Sequence, residues 1–323
     1  MSDINRRFCI APMLDCTDRH ARYFLRLFSK NILLYTEMIT AAAIIHGDRD
    51  YLLGFNEAEH PIAVQLGGAD PESLKIVARI CQEYGYDEIN LNVGCPSDRV
   101  QSGRFGACLM ASPDLVADCV AAVKSTTSIP VTVKHRIGID DMDSFEQFCH
   151  FAEIQINAGV DALIVHARKA WLQGLSPKQN REIPELKYDW VYDLKALFPD
   201  VQIIINGGIK TLEQCHHHLQ QVDGVMLGRE AYHNPFILAE VDNEIFQSGR
   251  TTSVTRLNIL HRYYEYIEQQ LSMGLPPVKL IRHILGLFHS QPNARVWRRH
   301  LTEKIDKKTA SLEDLYQAEK ILT

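Results

Sequence analysis

Short runs of apolar residues alternate with longer amphipathic segments along most of the chain. Most of the short runs are apolar on both faces and rich in Val and Ile, which is typical of parallel strands buried on both sides. Eight strands are predicted, over residues 8–13, 33–38, 61–66, 88–93, 131–134, 162–166, 202–206 and 224–228. Because a helical pattern follows most of them, an α/β fold is predicted, a (β/α)8 TIM barrel. A doubly wound open sheet is the structural alternative.

Capping residues mark several of the helices between the strands. Asp70-Pro71 and Ser112-Pro113 each place an N-cap residue before a proline in the first turn. A further helix is predicted over residues 141–159, where a glycine would end it. The longest irregular insert, residues 169–188, follows the sixth strand, and long loops at strand ends often carry function.

The strand pattern stops after Asn234-Pro235, and three amphipathic segments follow over residues 257–272, 279–288 and 293–304. We therefore expect a barrel domain over residues 1–243 and a small helical bundle over residues 244–323. The bundle holds 12 Lys and Arg against 8 Asp and Glu, although the whole chain has a net charge of −6. A basic module on an acidic body is typical of polyanion-binding proteins, but a solvated helical face would give the same charge.

Composition is that of an ordinary globular protein, with 46% hydrophobic and 23% charged residues. No apolar run is long enough to span a bilayer, the first residues do not resemble a signal peptide, and the 8 cysteines include no C-x-x-C pair. A reducing, cytoplasmic setting is expected, without a disulfide scaffold or a metal site. The run His216-His217-His218 does not change this expectation, because consecutive residues cannot share one helix face.

Polar residues gather where the predicted strands end. The carboxyl ends of barrel strands converge on one mouth, which would bring together Gln65, Asn92, Lys134, Arg136, His166, Arg168, Asn206 and Arg229. This set contains no pair of carboxylates, so hydrolysis by paired acids is not expected. Cations and amides suit an anionic, planar ligand; His166 could bind it or could be a satisfied core histidine.

Glycines after the last two strands and a cysteine after the fourth add chemistry to this mouth. Gly207, Gly208 and Gly228 follow strands seven and eight, the usual phosphate site of barrels, where a Cβ would keep the backbone N–H groups away from an anion. Cys95 lies just past the carboxyl end of strand four. A free cysteine is often an inert core residue, so position alone leaves catalysis and packing equally open.

Together these residues form motifs that resemble those of the tRNA-dihydrouridine synthases. The most specific is residues 90–96 (NLNVGCP) followed by residues 103–107 (GRFGA). The resemblance covers nearly the whole chain and includes residues 11–13, 134–136, 166–168, 178–184, 206–209, 228–229 and 233–235. Residues 170–176 (AWLQGLS) further resemble the subclass that acts on the D-loop uridines at tRNA positions 20 and 20a.

The resemblance implies an enzyme with bound FMN, NADPH as its reductant, and a helical carboxyl-terminal domain that binds tRNA. FMN would be held by Pro12, Met13, Leu14, Gln65, Lys134, His166, Asn206, Gly207, Gly208, Gly228 and Arg229. Cys95 would be the catalytic proton donor. The uracil and the tRNA would be contacted by Asn92, Arg104, Arg136, Arg168, Lys178, Arg181, Arg295 and Arg298. A monomer without protein partners is expected.

Reduction of the 5,6 double bond of uracil agrees with these residues. A flavin donates hydride to C6, and a thiol with an ordinary pKa near ~8.5 is protonated near neutral pH and can protonate C5. Lys134 and Arg136 could stabilise the negative charge that develops. The nucleotide must first leave its stack, and the loop over residues 96–110, which contains Gly103 and Gly106, is expected to move and cover it.

Two other functions stay open on the sequence alone. An FMN barrel of the dihydroorotate dehydrogenase kind would share the phosphate glycines, although a free pyrimidine needs no basic helical tail. A non-catalytic tRNA-binding protein would keep the barrel for folding alone and would bind no flavin.

Overall fold

The computed structural model describes residues 4–249, 254–305 and 308–322. Within them, eight strands are present, Phe8–Ile10 (β1), Leu34–Thr40 (β2), Ile62–Gly67 (β3), Glu88–Val93 (β4), Val131–Arg136 (β5), Ala162–His166 (β6), Gln202–Asn206 (β7) and Gly224–Leu227 (β8). All neighbours are parallel, in the order β1-β8-β7-β6-β5-β4-β3-β2. A bridge between Cys9 and Leu33 connects β1 to the start of β2. The predicted (β/α)8 barrel is thus confirmed, and the sheet is not an open one.

Helices surround the barrel and form the carboxyl-terminal part of the chain. In the described ranges α1 to α15 are Arg19–Arg26, Ala41–His46, Arg49–Leu53, Pro71–Glu83, Asp98–Ser102, Pro113–Lys124, Phe145–Asn157, Tyr188–Leu197, Leu212–His218, Arg229–His233, Val241–Glu244, Arg256–Ser272, Val278–Ile281, Ala294–Arg299 and Leu312–Glu319. Shorter 3-10 turns occupy Glu57–Glu59, Gly106–Ala111, Gln179–Arg181 and Pro235–Glu240, and a π-helical turn occupies His300–Lys304.

Capping explains where the helices begin. Asp70 accepts a hydrogen bond from the backbone N–H of Ser73 and starts α4, as its sequence predicts. The helix predicted over residues 141–159 is shorter, because Ser144 and Gln147 form a capping box that starts α7 only at Phe145. The residues before it make a tight turn, in which Ile139 and Met142 exchange backbone hydrogen bonds.

The two faces of β4 lie in different environments. Ile89, Leu91 and Val93 face outward and belong to the main apolar core between sheet and helices. Glu88 and Asn90 are fully buried on the other face, inside the barrel. The alternation that identifies this strand in the sequence therefore also directs a polar row into the barrel interior.

The carboxyl-terminal helices pack firmly against the barrel. The hydroxyl of Tyr266 on α12 lies 2.8 Å from Nδ1 of His20 on α1, and the neighbouring Tyr263 is fully buried. A Cβ added to Gly286 would come within 2.6 Å of the carbonyl oxygen of His233, so the two backbones are in direct contact. None of the helices in residues 4–249, 254–305 and 308–322 is long and apolar enough to cross a membrane.

The helical tail differs in detail from its prediction. The segment predicted over residues 279–288 contains only the short α13, Val278–Ile281, followed by turns whose hydrogen bonds span three residues. The close contact of Gly286 with the barrel lies within these turns. The predicted domain boundary after residue 243 falls inside α11, Val241–Glu244, and the division into two domains stays a prediction.

Candidate active site

Asn92 holds the Cys95 loop at the end of β4. Its side-chain Oδ1 accepts hydrogen bonds from the backbone N–H groups of Gly94 at 3.1 Å and of Cys95 at 3.0 Å. The Cys95 carbonyl in turn accepts from the N–H of Ala107 at 2.9 Å. Cys95 itself is half-buried, with Sγ 3.5 Å from the hydroxyl of Ser97. The thiol therefore lies at the barrel mouth and not in a sealed interior.

Lys134 is a cation on β5, the strand next to β4. It is the direct neighbour of Asn92 in the pairing of β4 with β5. Loss of hydration, and then the adjacent charge of Arg136, lower the pKa of Lys134 to about 7. Its ammonium has no hydrogen-bond or ion-pair partner among the described residues, so it is available to an anionic ligand.

Arg136 is buried, with 4% of its surface exposed, and is held by backbone carbonyls. Its Nε donates to the Gly94 carbonyl at 3.1 Å, and its Nη1 donates to those of Lys169 at 3.2 Å and Asn180 at 3.0 Å. Burial lowers its pKa to about 10, which still leaves a cation at neutral pH. Arg136 thus connects the Cys95 loop to the insert that follows β6.

His166 ends β6 between two other site residues. It is the strand neighbour of Arg136 on one side and of Asn206 on the other. Burial, together with the charges of Arg136 and Lys134, lowers the pKa of His166 well below its ordinary value, so the ring is neutral. Its Nδ1 is buried and has no partner among the described residues. A buried nitrogen without a partner is costly unless a ligand satisfies it.

The glycines after β7 and β8 allow close packing and backbone conformations that larger residues would not. Gly207 and Gly208 have φ values of +117° and +73°, in the region that favours glycine. A Cβ on Gly208 would lie 2.6 Å from a methyl of Leu186 and 2.8 Å from the hydroxyl of Tyr188. That hydroxyl donates to the Gly207 carbonyl at 2.7 Å, which fixes the turn. After β8, a Cβ on Gly228 would lie 3.4 Å from Sδ of Met13.

The other predicted cofactor residues lie in different environments. Asn206 donates from Nδ2 to the Met226 carbonyl at 2.7 Å. The backbone N–H of Met13 donates to the Thr17 hydroxyl at 3.0 Å. Next to Met13, Pro12 is half-buried, whereas Leu14 is 70% exposed. Gln65, the remaining one, is buried inside the barrel.

Arg168 and Arg229 are partly engaged by the insert after β6. Arg168 donates from Nη1 to the Pro184 carbonyl, while its buried Nε has no partner among the described residues. Arg229 is exposed and forms an ion pair with Glu182 at 2.6 Å. The Glu182 carboxylate therefore competes with any anionic ligand for Arg229.

Cations predicted to meet RNA lie on the exposed side of the mouth and on the tail. Lys178 and Arg181 are exposed on the insert, and Arg104 is exposed with a φ of +54°. Arg295 and Arg298 are exposed on α14. These five cations lie on the protein surface, outside the enclosed part of the mouth.

Several contacts at the site escaped the sequence analysis. Gln101 donates from Nε2 both to the Pro96 carbonyl at 2.8 Å and to the Leu172 carbonyl at 2.7 Å. Asn180 is fully buried and holds the insert through Trp171. No local sequence signal identifies such contacts between distant segments. The polar row of β4, in contrast, is visible in the sequence as the alternation of its residues.

FMN fits this set of residues. The unpaired ammonium of Lys134 suits an anionic ring or phosphate, and the free Nδ1 of His166 supplies a buried hydrogen-bonding atom. Gly207 and Gly208 let the turn after β7 pack closely against Leu186 and Tyr188, where a Cβ on Gly208 would collide. Among the described residues, no group of His, Cys, Asp or Glu side chains could hold a metal ion.

Comparison with solved structures agrees on the fold. The chain superposes on a 2-naphthoyl-CoA reductase with a TM-score of 0.58 at 8% identity, over 73% of this chain and 49% of that one. It superposes on an old yellow enzyme homologue from Zymomonas mobilis with a TM-score of 0.54 at 14% identity, over 79% and 92%. At identities this low, the comparison supports a shared barrel fold and nothing further.

Sequence comparison is far more specific. The family described as dihydrouridine synthase matches residues 9–322. A tRNA-dihydrouridine(20/20a) synthase of Vibrio cholerae is 56% identical over 314 residues, 97% of this chain and 95% of that protein. One of Shigella flexneri is 57% identical over 317 residues, 98% of this chain and 93% of that protein. The chain therefore belongs to the dihydrouridine synthase family, enzymes that use FMN and NADPH to reduce uridine to 5,6-dihydrouridine in tRNA.

Proposed function

We propose that this enzyme reduces the D-loop uridines at tRNA positions 20 and 20a, with Cys95 as the proton donor. The specific positions follow the names of the relatives that match nearly the full length of the chain. The observation that carries the chemistry is a half-buried thiol held at the barrel mouth by Asn92, beside the unpaired ammonium of Lys134. A monomer acting in the cytoplasm is part of the proposal, and the free state of all eight cysteines agrees with a reducing compartment.

The cofactor is held, in this proposal, by residues at the strand ends and in the loops that follow them. They are Pro12, Met13, Leu14, Gln65, Lys134, His166, Asn206, Gly207, Gly208, Gly228 and Arg229. When bound, FMN in its reduced form supplies the hydride that adds to C6 of the uracil, and NADPH reduces the flavin again. Lys134, as a partly buried cation, stabilises negative charge on its ligand more strongly than a fully solvated lysine could.

Cys95 completes the reduction by donating the thiol proton to C5. The hydride at C6 and this proton at C5 account for both hydrogens of the product, and the thiolate is reprotonated from solvent. Because Asn92 fixes the backbone of Cys95 through its N–H group, the thiol is positioned before the substrate arrives. Because Cys95 is half-buried, the uracil base can reach its sulfur while neighbouring residues limit the access of water.

The uracil can be reached only after the nucleotide is turned out of the tRNA, at a cost of roughly a few kcal/mol. Cations around the mouth would offset this cost by contacting the base and its phosphates. The cations proposed for these contacts are Arg104, Arg168, Lys178 and Arg181, and the amide of Asn92 is proposed as a further contact to the base. Arg136 belongs to the same group by its place at the strand end, but its hydrogen bonds assign it a supporting position beneath the loop.

The basic tail provides the remaining proposed contacts to the RNA. Arg295 and Arg298 are exposed, one turn apart on α14. Side chains at this spacing can contact adjacent phosphates of one strand. This contribution also distinguishes the enzyme from a barrel that reduces a free pyrimidine.

Mapping dihydrouridine in tRNA tests the proposal directly. Cells that lack the gene for this chain should lose dihydrouridine at positions 20 and 20a and regain it when the wild-type chain is supplied. Loss at other positions only would overturn the assignment. Purified enzyme given orotate in place of tRNA should show no turnover, whereas an enzyme of the dihydroorotate dehydrogenase kind would use it.

A further inference from the structure

A continuous row of hydrogen bonds crosses the inside of the barrel and ends at the Cys95 backbone. We name it the amide relay, and its members in order are Glu88, Thr132, Asn90, Gln65, Asn92 and Cys95. The successive donor–acceptor distances are 2.6, 2.9, 2.7, 2.8 and 3.0 Å. Strand pairing creates the row, because Gln65 and Thr132 are the neighbours of Asn90 on β3 and β5.

The relay has a single direction, which begins at Glu88. A carboxylate only accepts hydrogen bonds, and this one receives Arg6 Nε at 2.7 Å and the Tyr35 hydroxyl at 2.6 Å in addition to Thr132. Burial and the charge of Glu88 keep the pKa of Tyr35 well above its ordinary value, so the phenol remains a donor. Thr132 has only one hydroxyl proton, and it uses this proton to donate a hydrogen bond to Glu88.

Each following side chain then has no choice of orientation. The Thr132 oxygen can only accept, so Asn90 must present its NH2 group there and its oxygen to Gln65. Gln65 donates to that oxygen and therefore presents its own oxygen to Asn92. Asn92 donates its NH2 group to Gln65, which leaves its oxygen for the N–H groups at Gly94 and Cys95.

Because water is excluded from the barrel interior, the amide groups cannot reverse their orientation. Glu88, Asn90 and Thr132 are fully buried, and Gln65 is 1% exposed. A reversed amide would place two donors or two acceptors face to face, with no water to separate them. At the end of the row, a reversed Asn92 would present NH2 to two backbone N–H groups and would release the Cys95 turn.

We infer that Glu88 and Thr132 are positioning residues, which fix the orientation of Gln65 and Asn92 and thereby the place of the Cys95 thiol. This inference rests on the proposed function, in which Cys95 is the proton donor and Gln65 contacts the cofactor. It assigns roles to residues at the closed end of the barrel, far from any contact with the substrate.

The decisive variant is Thr132→Val, which removes the hydroxyl and keeps nearly the same volume. Arg6 and Tyr35 still satisfy Glu88, so the buried charge keeps its partners, while Asn90 loses the acceptor that sets its direction. Tyr35→Phe is the matched control, because it removes a hydrogen bond from the same oxygen of Glu88 without interrupting the relay. Thr132→Ser restores the hydroxyl and should rescue the relay.

The experiment compares these variants as FMN-loaded proteins. In Thr132→Val, kcat for dihydrouridine formation should fall about 10–100-fold, the effect of misplacing a reacting group by roughly 1 Å, while KM for tRNA changes less than about twofold. The rate of Cys95 alkylation by iodoacetamide, followed by mass spectrometry, should change in the same variant. Tyr35→Phe and Thr132→Ser should resemble the wild type in both measurements.

Two results would overturn the inference. One is wild-type kcat and alkylation in a folded Thr132→Val protein; the other is an equal loss in Tyr35→Phe, which would indicate general destabilisation. If Thr132→Val fails to fold, Thr132→Ala removes the same hydroxyl without adding a methyl group against its neighbours. Full activity in Cys95→Ala would refute the proposed proton donor instead, and the alkylation measurement on the wild-type thiol would still test the relay.

Discussion

The guanidinium group of Arg136 donates from Nε to the carbonyl oxygen of Gly94, the residue directly before Cys95. Its other contacts reach the carbonyls of Lys169 and Asn180 in the insert after β6. The Cys95 loop and the insert are thus joined by one buried side chain. Because Arg136 holds both segments, a substitution there should change the position of the Cys95 thiol although Arg136 does not contact the thiol.

Arg136→Lys should reduce turnover about tenfold or more while FMN stays bound. A lysine ammonium is a compact point of charge and cannot reach carbonyls on both segments as a planar guanidinium does. Steady-state kinetics, together with iodoacetamide alkylation of Cys95, measure the expected loosening of the loop. Arg7→Lys is a suitable control, since Arg7 donates to the Ile245 carbonyl away from the mouth. Equal activity in both variants would contradict the role of Arg136.

Cys95→Ala should leave a yellow, folded protein whose dihydrouridine formation is about 100-fold slower or worse, because positioned acids contribute factors of this size. Product formation in single turnovers of the pre-reduced enzyme is the appropriate measurement. Cys108→Ala serves as the control, since Cys108 is also half-buried but donates to the Phe105 carbonyl beyond the thiol turn. Undiminished turnover in Cys95→Ala would remove this thiol from the mechanism.

FMN affinity should decrease as the pH rises above 7. Without a ligand, Lys134 has its pKa lowered to about 7 by burial and the nearby Arg136 charge. A bound anion raises that pKa again, so above pH 7 binding must take up a proton and becomes weaker with each step in pH, by up to about tenfold per unit for one proton.

Fluorescence titrations of the apoprotein with FMN between pH 7 and 9 measure this slope. In Lys134→Met the affinity should be lower and nearly independent of pH. Lys169→Met is the control, because Lys169 is paired with Asp143 outside the predicted cofactor contacts. A slope that persists in Lys134→Met would assign the proton to another group.

Replacing both Arg295 and Arg298 with Ala should weaken tRNA binding and flatten its dependence on salt. Removing one contact between an arginine and a phosphate lowers the slope of log Kd against log salt by roughly 0.7–0.9, so a decrease of up to about two is expected. FMN content should not change. Arg79→Ala, at an exposed position of α4 on the outside of the barrel, should leave binding unaffected; equal slopes in all three proteins would exclude the tail arginines from the interface.

Some strand ends were predictable from a local pattern, whereas β1 ends at Ile10 and not at residue 13, and β5 extends beyond Lys134 to Arg136. β4, β6 and β7 begin and end at the residues that their apolar runs indicate. Once these ends converge in a barrel, the proximity of Lys134, His166 and Asn206 follows from topology alone.

Other features depend on register and on contacts between distant segments, which a single sequence does not encode locally. The amide relay requires that Asn90 lie beside both Gln65 and Thr132, and a shift of one residue in either pairing would destroy it. The contact of Gln101 with the Leu172 carbonyl joins two loops whose relative position is set only by the finished barrel.

The direct backbone contact of Gly286 with His233 has a consequence for how the enzyme selects a nucleotide. Tail and barrel are packed together there, and in the proposed function the α14 arginines anchor the tRNA while its target base reaches Cys95. We therefore expect the fold of the RNA, which sets how far each uridine lies from the anchored segment, to contribute to the choice among uridines.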